Sequence, residues 1–127
     1  MGDLDMGPMY EAIGQLVARD VRDDPEGALL VAEVEEGVTA ASIFKDVGDR
    51  VLYREASLEL FNKIHEVWTM LAPDKRWATM LCEIADGRFS ASFQFPDEVD
   101  FDIDHMYRRD DILKERYRDK PVDFSDP

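Results

Sequence analysis

The sequence predicts an α+β fold, an antiparallel five-stranded sheet with helices packed on one face, in the order α-βββ-α-ββ-α. Three observations predict it. Two segments carry apolar residues at helical spacing, several short β-favouring runs lie on either side of glycine turns, and one hairpin has an apolar face and a polar face. Strands joined by short turns pair antiparallel, and an apolar sheet face has to be covered by helices.

The first helix is predicted from about Met6 to Val21, because apolar residues recur there every three or four positions. Pro25 and Gly27 then interrupt it. The next two runs lie on either side of Glu36-Gly37, which suits a two-residue turn. A third, short strand is predicted at Val51 to Tyr53. The turn sets the register of the first two strands, pairing Val34 with Thr39, Ala32 with Ala41 and Leu30 with Ile43.

A second amphipathic helix begins at the N-cap candidate Ser57 and is closed by Pro73. Asp86-Gly87 then predicts a tight hairpin. The residues that this turn pairs on one face are all apolar: Ile84 with Phe89, Cys82 with Ala91, Met80 with Phe93 and Ala78 with Phe95. The other face is polar apart from Trp77 and Leu81. A last helix is predicted to start near Asp102 or Asp104, in "HMYRRDDILKERYR".

Composition narrows the classes of protein. The 127 residues, 45% of them hydrophobic, predict a single domain with its core at about 6–118 and flexible ends at 1–5 and 119–127. A formal net charge of −14 disfavours nucleic-acid binding, because such a surface repels phosphates. No apolar run approaches the roughly 20 residues of a membrane span. The lone Cys82 and an N-terminus without a signal-peptide pattern indicate a cytoplasmic protein.

The chain carries no recognisable catalytic motif, and we predict a protein that is not an enzyme and has no cofactor. Cys82 falls on the apolar face of the hairpin and is interpreted as a small core residue. His65 and His105 are interpreted as ordinary boundary residues, 40 positions apart in the numbering and without metal-ligand spacing. They leave one alternative open, a small-ligand-binding or enzymatic α+β domain with a pocket between sheet and helices.

The stretch "FPDEVDFDID" is the most unusual in the chain, because five of its ten residues are acidic and none is basic. Three of its acids match the first ligand positions of a calcium-binding hand, but His105 stands where that loop needs glycine, so no metal is predicted. Alternating apolar residues suggest that one side anchors the segment while the carboxylates point outward. These are candidate partner-binding residues: Asp97, Glu98, Asp100, Asp102 and Asp104. A merely solvated loop, its acids favouring a helix N-terminus, remains open.

Several segments together resemble the YezG-like immunity proteins of bacterial toxin–antitoxin systems. They are the N-terminal helix, the strand pair in "LLVAEVEEG", the helix "SLELFNKIHEVWTML", the tryptophan strand "KRWATMLCEIADGRFSASFQF" with "FQFPDE", and the charged closing helix "HMYRRDDILKERY". The resemblance covers about residues 8–118 and is best from Ser57 to Asp97. It weakens at the end, where members often have a Trp- and Tyr-rich segment and this chain reads "LKERYRDKPVDF".

The resemblance implies a cytosolic antidote that binds and neutralises a cognate toxin domain, often a nuclease. The charge is compatible with this, because an acidic protein can occupy the basic cleft of a nuclease. The expected partner is therefore a basic toxin domain. Trp77 is a candidate aromatic anchor for it, with packing under a helix or loop as the alternative. A homodimer, or a dimeric scaffold without a toxin partner, also remains open.

Overall fold

The computed structural model describes residues 7–21, 24–35, 38–99 and 105–124. Short 3-10 turns occupy Pro73–Lys75 and Pro96–Glu98. None of the described helices is long and apolar enough to cross a bilayer. In chain order the elements are α1 (Gly7–Val21), β1 (Ala28–Glu35), β2 (Val38–Asp46), β3 (Val51–Glu55), α2 (Leu58–Met70), β4 (Thr79–Ala85), β5 (Arg88–Gln94), α3 (His105–Tyr117) and β6 (Val122–Asp123).

The sheet has six strands in the order β5-β4-β1-β2-β3-β6. The predicted α+β class and element order are confirmed, but the prediction of five purely antiparallel strands is wrong, because β6 pairs in parallel with β3. Strand β6 lies within the predicted flexible end, 119–127, and was not predicted as a strand. Arg118 takes a left-handed φ of 58°, the chain turns back after α3, and Val122 enters the sheet beside Val51.

Helices cover both faces of the sheet, which corrects the expectation that they pack on one face. Alternate residues of β1 point to opposite faces. Leu30 and Ala32 join the core under α1 and α2, whereas Leu29 and Val31 join a second core with Leu113 of α3. The sequence does contain this information, since β1 is buried along nearly its whole length and is almost continuously apolar, as strands covered on both sides are.

The predicted hairpin registers are confirmed. All three pairs predicted between β1 and β2 are observed, and Glu35 faces Val38 at the turn. The predicted pairs between β4 and β5 are observed from Met80 to Ile84, around Asp86 and Gly87, whose φ angles of 56° and 73° match the expected turn. The pair proposed between Ala78 and Phe95 lies beyond the ladder, which ends with Thr79 facing Gln94.

Helix α2 begins and ends through side-chain hydrogen bonds. Ser57 is its N-cap, as predicted, and accepts a hydrogen bond from the N–H of Leu60 at 3.1 Å. At the other end, Arg76 donates to the carbonyls of Leu71 and Thr69 at 3.1 and 3.0 Å and lies over the ring of Trp68. The helix ends at Met70, before Pro73. Arg76 satisfies two of the carbonyl groups that have no hydrogen-bond partner within the last turn.

Basic side chains attach α3 and the turn after it to the sheet. The contacts are Arg108 with Glu33, Arg109 with Ser42, Arg116 with Glu83 and Lys120 with Asp46. Arg109 contacts Ser42, and Lys120, later in the chain, contacts Asp46 further along β2. Helix α3 therefore runs in the same direction as β2. The hydrogen bond from Lys120 holds the pKa of the Asp46 carboxyl below its ordinary value. These contacts place the N-terminal end of α3 over the end of the sheet where β5 finishes.

Candidate acidic interaction surface

The acidic segment starts in a well-defined 3-10 turn at the end of β5. Pro96 favours the start of this turn, and one carboxylate oxygen of Glu98 accepts a hydrogen bond from the N–H of Phe95 at 2.9 Å. Asp97 and Glu98 are exposed, as predicted. Asp100, Asp102 and Asp104 lie outside the described residues.

The described residues before and after the acidic segment lie toward the same end of the sheet. Gln94, which precedes it, faces Thr79, and Thr79 in turn faces Glu33 on β1. Two strand spacings place the backbones of Gln94 and Glu33 roughly 10 Å apart. Glu33 pairs with Arg108 of α3 at 2.7 Å, and the side chains of both residues are largely buried. Arg108, which follows the segment, therefore contacts the sheet two strands away from the residue that precedes the segment.

Two exposed aromatic residues flank the acids. Phe95 is 39% exposed and Tyr107 is 68% exposed, which is unusual for side chains of this size. Exposed aromatic residues beside charged groups are typical of the energetic centres of protein interfaces. Neither residue was predicted from the sequence as part of this surface. The available signal was their position, since Phe95 opens the acidic stretch and Tyr107 follows its last acid, Asp104, by three residues.

Trp77 is not available as an anchor on this surface. It is 2% exposed and packs in the core under α1. Its indole N–H donates to the hydroxyl of Tyr10 at 3.0 Å, and its ring lies 5.9 Å from that of Phe93. The prediction placed it on the polar face by counting alternate positions back from β4. It lies before the strand, where strict alternation does not apply, and the alternative interpretation, packing under a helix, is confirmed.

The electrostatics at this end of the sheet are dominated by negative charge. In the part of the chain that the structure describes, neither Asp97 nor Glu98 forms an ion pair with a lysine or arginine. Arg108 and Arg116 of α3 are engaged by carboxylates of the sheet. A positively charged group of a partner would therefore meet Asp97 and Glu98 without having to displace a lysine or arginine of the described residues.

Two grooves flank α3. One, of about 330 Å³, lies between the helix and the β4–β5 end of the sheet, where Leu81 and Gln94 meet Ile112, Glu115 and Arg116. The other, of about 240 Å³, lies between the helix and the C-terminal strand. His65 lines neither of them, and its exposed ring has Nδ1 3.2 Å from the hydroxyl of Thr39. The grooves therefore give no support to a pocket at His65, and the side chain of His105 lies outside the described part of the chain.

Reactive and metal-ligating groups are not gathered into a site within the described ranges. Among those residues, no three or more histidine, cysteine or acidic side chains are placed together to hold a metal ion. Cys82 is a buried core residue, as predicted, and burial raises its pKa to about 11. A thiol with so high a pKa is protonated at neutral pH and is a poor nucleophile.

Comparison with known proteins does not assign the chain to a family. No protein-family model matches the chain, and a search of curated proteins likewise finds no match.

Proposed function

We propose that this protein is a non-enzymatic immunity protein that captures a basic toxin domain, most simply a nuclease, through the acidic end of its sheet. The acids concerned are Asp97 and Glu98 together with Asp100, Asp102 and Asp104. Phe95 and Tyr107 take the anchoring role first considered for Trp77. The observation that carries the proposal is the exposure of Asp97 and Glu98, which have no ion-pair partners among the described residues and which lie in a stretch of sequence with the exposed Phe95 before it and the exposed Tyr107 after it.

The chemistry suits a fast and tight complex. A nuclease cleft is lined with cations that bind phosphates, and clustered carboxylates present a comparable charge. Long-range attraction raises the association rate, and aromatic side chains buried on contact slow dissociation. The resemblance to YezG-like immunity proteins independently favours a toxin partner, cytoplasmic action and the absence of catalysis.

The test uses the basic C-terminal toxin domain that the proposal expects in the adjacent reading frame. Asp97, Asp100 and Asp102 are changed together to lysine, and Glu98 is left in place because it caps the turn at Phe95. Association with the toxin domain is followed by stopped-flow fluorescence over a range of ionic strengths. At low salt the variant should associate at least about tenfold more slowly than the native protein, and its rate should depend less on salt.

A matched control separates the local effect from the change in net charge. Glu11, Glu66 and Asp74 are exposed carboxylates on other elements, and changing these three to lysine alters the net charge by the same amount. The control should retain most of the association rate. If the association rate falls equally in both variants, the overall net charge and not the acidic segment sets the rate. If the first variant associates as fast as the native protein, the interface lies elsewhere.

A further inference from the structure

Strand β5 is an open edge of the sheet. It ends the strand order, and among the described residues only β4 pairs with it. Its inner face is covered, since Phe89 and Phe93 pack into the core under α1. Ser90, Ala91 and Ser92 in its middle are exposed. The edge is therefore supported from one side and accessible along its length.

The register shows which backbone groups this edge presents. In an antiparallel ladder, alternate residues exchange hydrogen bonds with the partner strand, and the pair that closes a two-residue turn is a bonded pair. Ala85 and Arg88 close the turn, so Ser90 and Ser92 point their N–H and C=O groups toward β4. Phe89, Ala91 and Phe93 point theirs outward. Three residues thus offer donors and acceptors in the spacing that an added strand requires.

This edge lacks the usual protection against strand addition. Natural edges carry lysines, prolines or bulges, or are very short. The opposite edge follows that rule, because β6 has only two residues. From Phe89 to Phe95, β5 has no charged residue and no proline, in a chain in which 35% of the residues are charged. Its described ladder with β4 is continuous, without a bulge.

The charges around β5 select the kind of strand that can be added. At the turn end stands the exposed Asp86, and at the other end stand Asp97 and Glu98. Arg88 is the one base on the strand itself. A second copy of this chain would bring its own net charge of −14 to an acidic edge. A segment with lysine or arginine near its ends would instead be attracted at both ends of β5.

We propose that β5 receives an extended, lysine- or arginine-bearing segment of the partner as a seventh strand of the sheet. The backbone groups of Phe89, Ala91 and Phe93 pair with that segment, and its cationic side chains face Asp86 at one end and Asp97 and Glu98 at the other. This inference rests on the proposed function for the identity of the partner. It adds the mode of recognition, which is strand addition next to the acidic surface.

The test variant is Ala91→Pro. Because the N–H of Ala91 points outward, proline removes a donor from the open edge and leaves the ladder to β4 intact. The matched control is Ala91→Thr, which keeps the N–H and has a β-favouring side chain. Affinity for the basic toxin domain is measured by calorimetry. Ala91→Pro should bind at least about tenfold more weakly than the native protein, and Ala91→Thr should bind within about threefold of it.

The outcomes separate this inference from the proposed function. If the native protein and both variants bind the toxin domain equally, strand addition at β5 is wrong and the acidic capture stands. If the native protein does not bind the toxin domain at all, the proposed function itself fails. A stable dimer of the free protein that Ala91→Pro converts to monomer would overturn the basic segment in favour of a second copy.

A second measurement needs no substitution and covers the case in which Ala91→Pro does not fold. Amide hydrogen exchange is followed by NMR for the native protein, alone and saturated with the toxin domain. The amides of Phe89, Ala91 and Phe93 should exchange rapidly in the free protein and at least about tenfold more slowly in the complex. Unchanged exchange at all three in a saturated complex would overturn the inference.

Discussion

Gly14 lies where α1 crosses β5, and it permits a close approach between this helix and the ring of Phe89. A Cβ atom built on Gly14 would stand 2.7 Å from the ring of Phe89. The contact involves ring atoms near the Cβ of Phe89, which cannot swing aside easily. Phe89 is half-buried against the same core, so this glycine sets the distance between α1 and the edge strand.

We therefore expect Gly14→Ala to destabilise the protein by about 1 kcal/mol or more. Overpacking costs about 1 to 3 kcal/mol, and three ring atoms at 2.7 Å place this contact in the upper part of that range, which exceeds the gain of about 1 kcal/mol that alanine brings to a helix. Urea unfolding provides the measurement. In a second variant, Phe89→Leu is added to Gly14→Ala to remove ring atoms from the contact, and it should recover part of the loss. A more stable Gly14→Ala protein would show that the helix shifts at little cost.

At the scale of elements, α3 differs from the other two helices in how it attaches. Helices α1 and α2 bury stripes of apolar residues, whereas the buried apolar contribution described for α3 centres on Leu113. Much of its attachment comes from Arg108, Arg109 and Arg116, which reach groups on the sheet. Since this helix receives the acidic segment, its ion pairs also position the candidate interaction surface.

The pair of Glu33 with Arg108 is the most buried of these contacts, with side chains 6% and 14% exposed. Glu33→Gln replaces the carboxylate that Arg108 contacts by a neutral amide and should cost about 2 kcal/mol. Changing both residues to methionine should cost clearly less than the sum of the two single methionine substitutions, because neither charge is left alone. Denaturant unfolding of the double-mutant cycle measures this coupling. Additive losses would show that the pair contributes nothing specific.

At the scale of the whole molecule, burial of the Cys82 thiol in the folded sheet makes the free energy of unfolding depend on pH. It lies on β4 between Leu30 of β1 and Ala91 of β5, with α1 and α2 covering that face. Burial raises its pKa from 9.0 to about 11. Because the folded pKa is the higher one, the unfolded thiol ionises first. Its contribution to stability is therefore present below pH 9.0 and is lost as pH rises toward about 11.

We expect the native protein to lose about 2 kcal/mol more than Cys82→Ala does between pH 9 and pH 11. Burial also raises the pKa values of Tyr10 and Tyr117, so both proteins lose stability in this range, and the difference between them isolates the thiol. Urea unfolding at intervals across the range supplies both curves. Parallel curves would mean that Cys82 is solvated in the folded protein.

Much of the fold was accessible from the sequence because it is encoded locally. The apolar spacing of α1 and the N-cap Ser57 concern residues within one or two turns of each other. The register of each hairpin follows from a turn and a period of two, and it was predicted correctly. The same local logic failed at Trp77, one step outside its strand, where the chain path rather than alternation sets the direction of a side chain.

By itself, the sequence determined the acidic character of the protein, its α+β class, its principal helices and strands, and the presence of an acidic run after the second hairpin. Only the tertiary structure decided that α3 covers the second sheet face, that β6 joins β3, and that Phe95 and Tyr107 flank exposed acids. The physical reason is the separation along the chain between the residues that determine each feature. Periodicity and turns depend on neighbouring residues, whereas the face on which an element docks depends on contacts such as Arg108 with Glu33, 75 residues apart.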